Sequence, residues 1–302
     1  MQAPFIGAEA LASGALNRHR LRTDHYALFP GVYQPKAQNP TLRMRTVGAW
    51  LWSNRQAVIA GAAAAAIHGS KWVDDDVPIE LISPNTHPPS GLLTRNDILL
   101  AGEVVRRRGM AVTSAARTAF DLGRQGPLGL AVARLDALCR ATGVSTSAVD
   151  AVAEGHAGVR GMCQLRKVLS LVDPGAESPK ETWLRLIIIR AGIPAPTTQI
   201  LVVDGGWAAR LDMGWKDLKV AVEYDGDQHR TDRGQYVRDI RRLERLQRLG
   251  WIVVRVVAED HPDDVIGRVR RAIDSRSRGP GSQRTHRDDL AGAITAWTGW
   301  QS

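Results

Sequence analysis

The stretch that most constrains this chain is Arg210 to His229, which reads RLDMGWKDLKVAVEYDGDQH. Two runs of alternating residues, Arg210 to Trp215 and Lys219 to Tyr224, flank the polar pair Lys216-Asp217, the pattern of two short strands joined by a tight turn. A turn centred between Asp217 and Leu218 puts position 212 opposite position 223. Because side chains alternate faces along a strand, Asp212 and Glu223 then point the same way from neighbouring strands, with Cβ atoms roughly 5 Å apart. Leu211, Met213, Trp215, Val220, Val222 and Tyr224 point the other way, toward a core. Like charges facing each other across strands are destabilising, so the pattern asks for a cation between them. A divalent metal held by hard carboxylate oxygens is the expected one. An exposed sheet face on which water screens the acids is the plain alternative. The pair has company, however: Glu223-Tyr224-Asp225-Gly226 runs on into Asp227-Gln228-His229, a dense set of metal-ligand types at a strand end.

At 302 residues the chain has the length for two domains with their own cores. Its formal net charge of +9 favours a polyanionic partner. Cys139 and Cys163 stand far apart and form no C-x-x-C pair, which points to a reducing compartment and no cysteine metal site. The apolar run Ala57 to Ile67 is too short to span a bilayer. Met1 to Asn17 lacks the basic start and long apolar middle of a secretion signal, so a cytoplasmic location and no membrane partner are expected.

Along the chain, residues 1 to 40 read as a winged-helix-like segment. Glu9 to Leu16 is a short amphipathic pattern, and Asn17 to Arg22 is a basic run that starts a second helix. Tyr26 to Tyr33 reads as two strands around Pro30-Gly31. Basic side chains on such a helix reach phosphates. Residues 41 to 174 read as α+β with a helical extension. Helices are expected over Leu42 to Trp52, Val58 to His68, Thr113 or Ser114 to Leu122, Leu128 to Arg140 and Met162 to Leu171. Strands are expected at Val77 to Ile82, Ile98 to Leu100 and Glu103 to Val105. His68, on an apolar helix, reads as a hydrogen-bonded core histidine. Residues 1 to 175 offer no catalytic constellation.

This first half resembles the AbiEi-type antitoxins of bacterial toxin-antitoxin systems, through Gly31-Val32-Tyr33, the Ala62 to Gly69 stretch and Val112 to Leu122. The resemblance covers roughly residues 5 to 125. It implies an N-terminal winged helix joined to an α/β domain, and a DNA-binding or protein-partner role rather than an enzymatic one.

Asp173-Pro174-Gly175-Ala176 marks a boundary. After it, Ser178-Pro179-Lys180-Glu181 starts a helix with serine as cap, proline at the first position and glutamate three residues after the cap. That capping box alone explains a glutamate at 181. Trp183, Leu184, Ile187, Ile188 and Ala191 form the apolar stripe, and Gly192 ends it. Gln199 to Val203 is a strand and then comes the acidic hairpin. Thr231 or Asp232 caps a long helix to Leu249, with Tyr236, Ile240, Leu243, Leu246 and Leu249 inward. Trp251 to Val257 has the continuous apolar run of a central strand buried on both sides. Asp263 to Ile273 is a last helix in a module spanning 175 to 274, and residues 275 to 302 read as a flexible basic tail.

The order helix, three strands, helix, strand, helix makes this module α/β, and with its acids it resembles the PD-(D/E)XK restriction-endonuclease-like superfamily. Glu181, Asp212, Glu223-Tyr224-Asp225-Gly226 with His229, Arg238-Asp239 and the Leu249-Gly250-Trp251 junction look more closely like the domains related to very-short-patch-repair endonucleases. The resemblance implies Mg²⁺ or Mn²⁺ held by Asp212 and Glu223, with Glu181 as a third or water-mediated ligand. It makes His229 a general base or phosphate contact, and it includes Asp225 among the catalytic positions. The superfamily pattern has a lysine two residues after the third-strand glutamate. Here that place holds Asp225, so the lysine's role is vacant or passes to His229, Lys180 or Arg230. Arg230, Arg238, Arg241 and Arg245 on the long helix, with Lys180, are the expected nucleic-acid contacts. Two functions follow as expectations: a metal-dependent endonuclease hydrolysing DNA phosphodiester bonds, or a DNA-binding regulator or antitoxin-like protein whose nuclease fold is inert.

Overall fold

The structure, a computed structural model, describes residues 3–85, 87–226 and 233–277; the side chains of Arg233, Gln235 and Tyr236 lie outside that description. The chain divides into two compact units at Pro174/Gly175.

The first unit opens with β1 (Phe5–Ile6), α1 (Gly7–Ala12), α2 (Arg18–Asp24), β2 (His25–Phe29) and β3 (Val32–Pro35), the strands forming a sheet in the order β1-β3-β2. Asn17 caps α2 by accepting the Arg20 N–H at 2.8 Å, which satisfies one of the orphan donors of the first turn. The helix buries Leu21 and exposes Arg18, Arg20 and Arg22. Between β2 and β3 the chain reverses at Gly31, whose φ of +78° suits glycine.

There follow α3 (Leu42–Trp52), β4 (Val58–Ala60), α4 (Gly61–Ile67), β5 (Ile79–Ile82), β6 (Leu92–Arg95), β7 (Val104–Arg107) and β8 (Met110–Thr113), with strand order β6-β5-β4-β8-β7. Helices α5 (Ala115–Gly123), α6 (Leu128–Thr142), α7 (Thr146–Gly155) and α8 (Met162–Leu169) complete the unit. Three sequence expectations fail here. Val58-Ile59-Ala60 is a strand rather than the first turn of a helix, and it lies at the centre of the five-stranded sheet. So short an apolar run carries no period that separates the two states. Ile98 to Leu100 is a loop: Ile98 is 74% exposed, and its carbonyl accepts from the Arg117 guanidinium at 2.9 Å instead of a neighbouring strand. Helix α7, which the periodicity leaves unmarked, is capped by Ser145 and buries Val149.

The second unit contains α9 (Pro179–Arg190), β9 (Thr197–Asp204), β10 (Trp207–Trp215), β11 (Val220–Tyr224), α10 (Arg233–Arg248), β12 (Ile252–Val256) and α11 (Pro262–Ser277). Its sheet runs β12-β11-β10-β9, antiparallel except for the parallel pair β11 and β12. Met213, Val220, Val222, Val254 and Val256 pack with Leu184 and Ile188 of α9 and Val265 and Val269 of α11. On the opposite side Ile200, Ala209, Leu211 and Ala221 pack with Leu246 of α10 and with Trp251. Leu211 therefore joins the α10 cluster and not the Met213 cluster that simple alternation gives it. Strand β12 is an edge strand, correcting its reading as central. Its apolar run reports helices over both faces, since Val256 touches the α11 side and Val253 the α10 side. The inner positions belong to β10 and β11, and residues 220 to 223 of β11 are all buried. On α10, Ile240 is 39% exposed rather than inward. The expected N-cap of α10, Thr231 or Asp232, and residues 278–302 lie outside the described residues.

Candidate functional site

Lys219 closes the β10–β11 turn, its N–H bonding the Lys216 carbonyl at 3.1 Å. The ladder pairs Met213 with Val222, Gly214 with Ala221 and Trp215 with Val220. Gly214 is required by this closeness, because a Cβ there would stand 2.2 Å from the Val220 carbonyl oxygen. The ladder ends at Met213 and Val222, and just beyond it Asp212 and Glu223 lie near enough for the Glu223 charge to act on Asp212. On the other side of Glu223 its parallel partner in β12 is Arg255.

Glu223 sits on the face that α10 covers. Glu223 is 9% exposed, and Arg242 of α10 reaches it with both guanidinium nitrogens: Nη1 meets Oε2 at 3.0 Å, while Nη2 pairs with Oε1 and also donates to the Arg210 carbonyl at 2.8 Å. The cation that two opposed carboxylates call for is thus, in this structure, a guanidinium. Asp212 accepts the Tyr224 N–H on Oδ2 at 2.9 Å. Burial, then the Glu181 carboxylate, and then that of Glu223 push the Asp212 carboxyl up to about 7, against the pull of the Tyr224 amide and Arg242.

Glu181 is buried at the N-terminus of α9, near enough to act on Asp212 through its charge. It also completes its own capping box. Oε1 accepts the Ser178 hydroxyl at 2.9 Å, Oε2 accepts the Glu177 N–H at 2.8 Å, and its own N–H donates to Ser178 Oγ at 3.2 Å. The structure thus shows the capping-box reading of Glu181. Among the described residues no three His, Cys, Asp or Glu side chains form a ready-made metal cage.

Asp225, in the place of the superfamily lysine, pairs with Arg255. Lys180 holds its ammonium 6.0 Å from the Tyr224 ring centroid. His229 and Arg230 lie outside the described residues. Beside the acids, β10 and α10 enclose a cleft of about 720 Å³ that includes Arg210, Arg238, Arg241, Arg242, Arg245 and Arg248. Within it Arg245 is held by Asp204, its Nε 2.9 Å from Oδ2, and lies 4.9 Å from the Trp207 ring centroid. Arg238 and Arg241 are exposed.

Arg242 is the site residue that sequence reasoning missed. It was legible in one respect: four residues before Leu246, it occupies an inward position of the helix, where an arginine signals a buried acid as its partner.

The first unit holds a different charge cluster, built on the Thr113 to Leu122 motif. Arg117, with a side chain 2% exposed, bonds Glu103 at 2.7 Å, Asp121 at 3.1 Å and Asp97 at 3.2 Å. Arg95 and Arg124 also contact Asp97 and Asp121, and His156 Nε2 lies 2.6 Å from Glu103. Against the cost of burial, Arg95 and Arg117 hold the Asp121 carboxyl below its ordinary range. His68 Nε2 lies 2.7 Å from the Thr113 carbonyl oxygen, a hydrogen-bonded core histidine.

Among the described residues no helix is long and apolar enough to cross a membrane. No family model matches the chain, and no solved structure matches it. Two Mycobacterium tuberculosis proteins described as uncharacterized, MT2308 of strain CDC 1551 / Oshkosh and Rv2248 of strain ATCC 25618 / H37Rv, are each 31% identical to it over 250 residues. The match takes in 81% of this chain and 90% of each relative. With that identity across nearly the whole of both relatives, the chain belongs to the same family as these two mycobacterial proteins.

Proposed function

We propose that the second unit is a metal-dependent endonuclease domain of the PD-(D/E)XK class acting on DNA, related to the very-short-patch-repair endonucleases. The observation that carries this reading is that Asp212 and Glu223 lie close together just beyond the β10–β11 ladder, with Arg242, the partner of Glu223, also lining an arginine-rich cleft. The order of elements from α9 to α11 supports it, since this is the order that the resemblance implies.

Magnesium or manganese suits the donor set in kind: hard carboxylate oxygens, partly desolvated, with more negative charge around Asp212 than one guanidinium balances. Asp212 and Glu223 would hold the ion and Glu181 would complete the set by turning from its capping box. When bound, such an ion polarises the phosphodiester and lowers the pKa of a coordinated water. The chain's own part is to orient and to neutralise. Asp212 is fixed by the Tyr224 amide, Glu223 is presented from the buried strand, and Arg238 and Arg241 give the cleft the sign that a phosphate backbone needs.

A second reading also has observations in its favour. Glu223 is paired with Arg242, and Asp225 with Arg255 stands where a lysine is expected, which suits a DNA-binding regulator with an inert nuclease fold. The antitoxin-like front half and the exposed arginines of α2 agree with it. Nicking of supercoiled plasmid in Mg²⁺ or Mn²⁺ separates the two. The nuclease reading expects cleavage that disappears in Asp212→Ala and Glu223→Ala. DNA retention without cleavage, unchanged by either substitution, leaves the regulator.

A further inference from the structure

The lysine that the E-x-K pattern would supply is missing, yet a phosphodiester beside three carboxylates needs a positive group close by. Asp225, at the lysine's place, is neutralised by Arg255. Lys180 is turned toward the Tyr224 ring. Among the described residues, the guanidinium that reaches Glu223 comes from α10, which covers that face of the sheet. Arg242 grips Glu223 and the Arg210 carbonyl, and the same side chain lines the cleft with Arg210, Arg238, Arg241 and Arg248. It is the residue shared by the acid pair and the basic cleft. Its planar fork, now matched to two carboxylate oxygens, fits two oxygens of a phosphate equally well.

We propose that Arg242 is the phosphate-contacting cation of this site, its guanidinium passing from Glu223 to the DNA backbone in the cleft when Glu223 takes a divalent ion. This rests on the nuclease reading above and names the residue that does the missing lysine's work. Arg242 and a metal then compete for the same oxygens, so metal and DNA bind with positive coupling: each removes an obstacle to the other.

The test is a titration of Mn²⁺ into the full-length protein without DNA, with free Mn²⁺ followed by electron paramagnetic resonance, alongside plasmid nicking in Mn²⁺. Arg242→Ala is expected to bind Mn²⁺ roughly tenfold or more tightly than wild type and to nick roughly 100-fold or more slowly. Arg242→Lys, which keeps a charge but loses the fork, is expected between the two proteins in both measurements. If Arg242→Ala does not fold, Arg242→Lys decides, and values equal to wild type in both overturn the proposal. Should wild type nick and Asp212→Ala not, while Arg242→Ala matches wild type in both measurements, Arg242 is no more than a strut and the nuclease reading stands without it. Loss of Mn²⁺ binding in Arg242→Ala also overturns the proposal. Absence of both Mn²⁺ binding and nicking in every protein removes the nuclease reading and this inference with it.

Discussion

Around Arg117 in the first unit and around Asp212 in the second, carboxylates have been taken out of water and set against arginines, and the balance differs. Arg95, Arg117 and Arg124 interlock with Asp97, Glu103 and Asp121, with Glu80 joining through Arg95; the Asp121 carboxyl ends below its ordinary range despite burial, while burial pushes that of Glu80 up. Arg242 is the guanidinium acting on Asp212, which also feels Glu181 and Glu223, and the Asp212 carboxyl ends near 7. Where each buried acid keeps a guanidinium, removing one partner is strongly destabilising. A cluster with a surplus of negative charge is instead a candidate to take up something positive.

The largest expected effect tests the first half of this contrast. Arg117→Ala takes the guanidinium from buried Glu103 and one of three from Asp121, and breaking a buried pair costs about 3–5 kcal/mol. Urea denaturation of the full chain should show the first unit's transition at much lower denaturant, and a loss below about 1 kcal/mol would mean that the network is incidental. Asp212→Asn should act in the opposite direction. The folded unit keeps the Asp212 proton to about 7, whereas an ordinary aspartate releases it near 3.8. The folded form therefore binds more protons across that window, and its stability falls as pH rises through it. Asp212→Asn removes this loss, so its melting temperature at pH 8 should exceed that of wild type by about 4–8 °C for each kcal/mol recovered. At pH 4 the two should coincide. For Asp121 the sign is reversed, its lowered pKa giving stability that is present at neutral pH and lost on acidification. Equal pH slopes for wild type and Asp212→Asn would end the claim that the two clusters differ in charge balance.

The contrast was only half visible in the sequence. The hairpin was legible because the turn after Trp215 fixes the strand register that pairs Met213 with Val222. The capping box at Ser178 and the apolar stripe of α9 were legible because both are local patterns. What the sequence concealed depends on partners far along the chain. An arginine at 242 looks like one more basic residue on a polar helix until Glu223 is seen beneath it. Arg117 and Asp121 pass for an ordinary i,i+4 pair, while the acids that bury them, Asp97 and Glu103, arrive from a loop and the residue before a strand. The edge position of β12 was hidden for a related reason: apolar composition reports cover on the two faces and says nothing of neighbours in the plane.

The smallest effect concerns where each region's arginines point. In the first cluster they are directed at buried acids, so Arg95→Gln should leave the salt dependence of DNA binding unchanged even if it lowers stability. On α10, Arg241 is exposed and lines the cleft. If it meets a phosphate, Arg241→Ala should weaken binding to all DNA sequences about equally and reduce the slope of log affinity against log salt by about 0.9. Arg245, half-buried and already bonded to Asp204, should contribute less to that slope. Fluorescence anisotropy across a salt series measures all three substitutions in one format. An unchanged slope for Arg241→Ala, or one that changes as much for Arg95→Gln, would show that the cleft's arginines are no more available to a polyanion than those locked in the first unit's network.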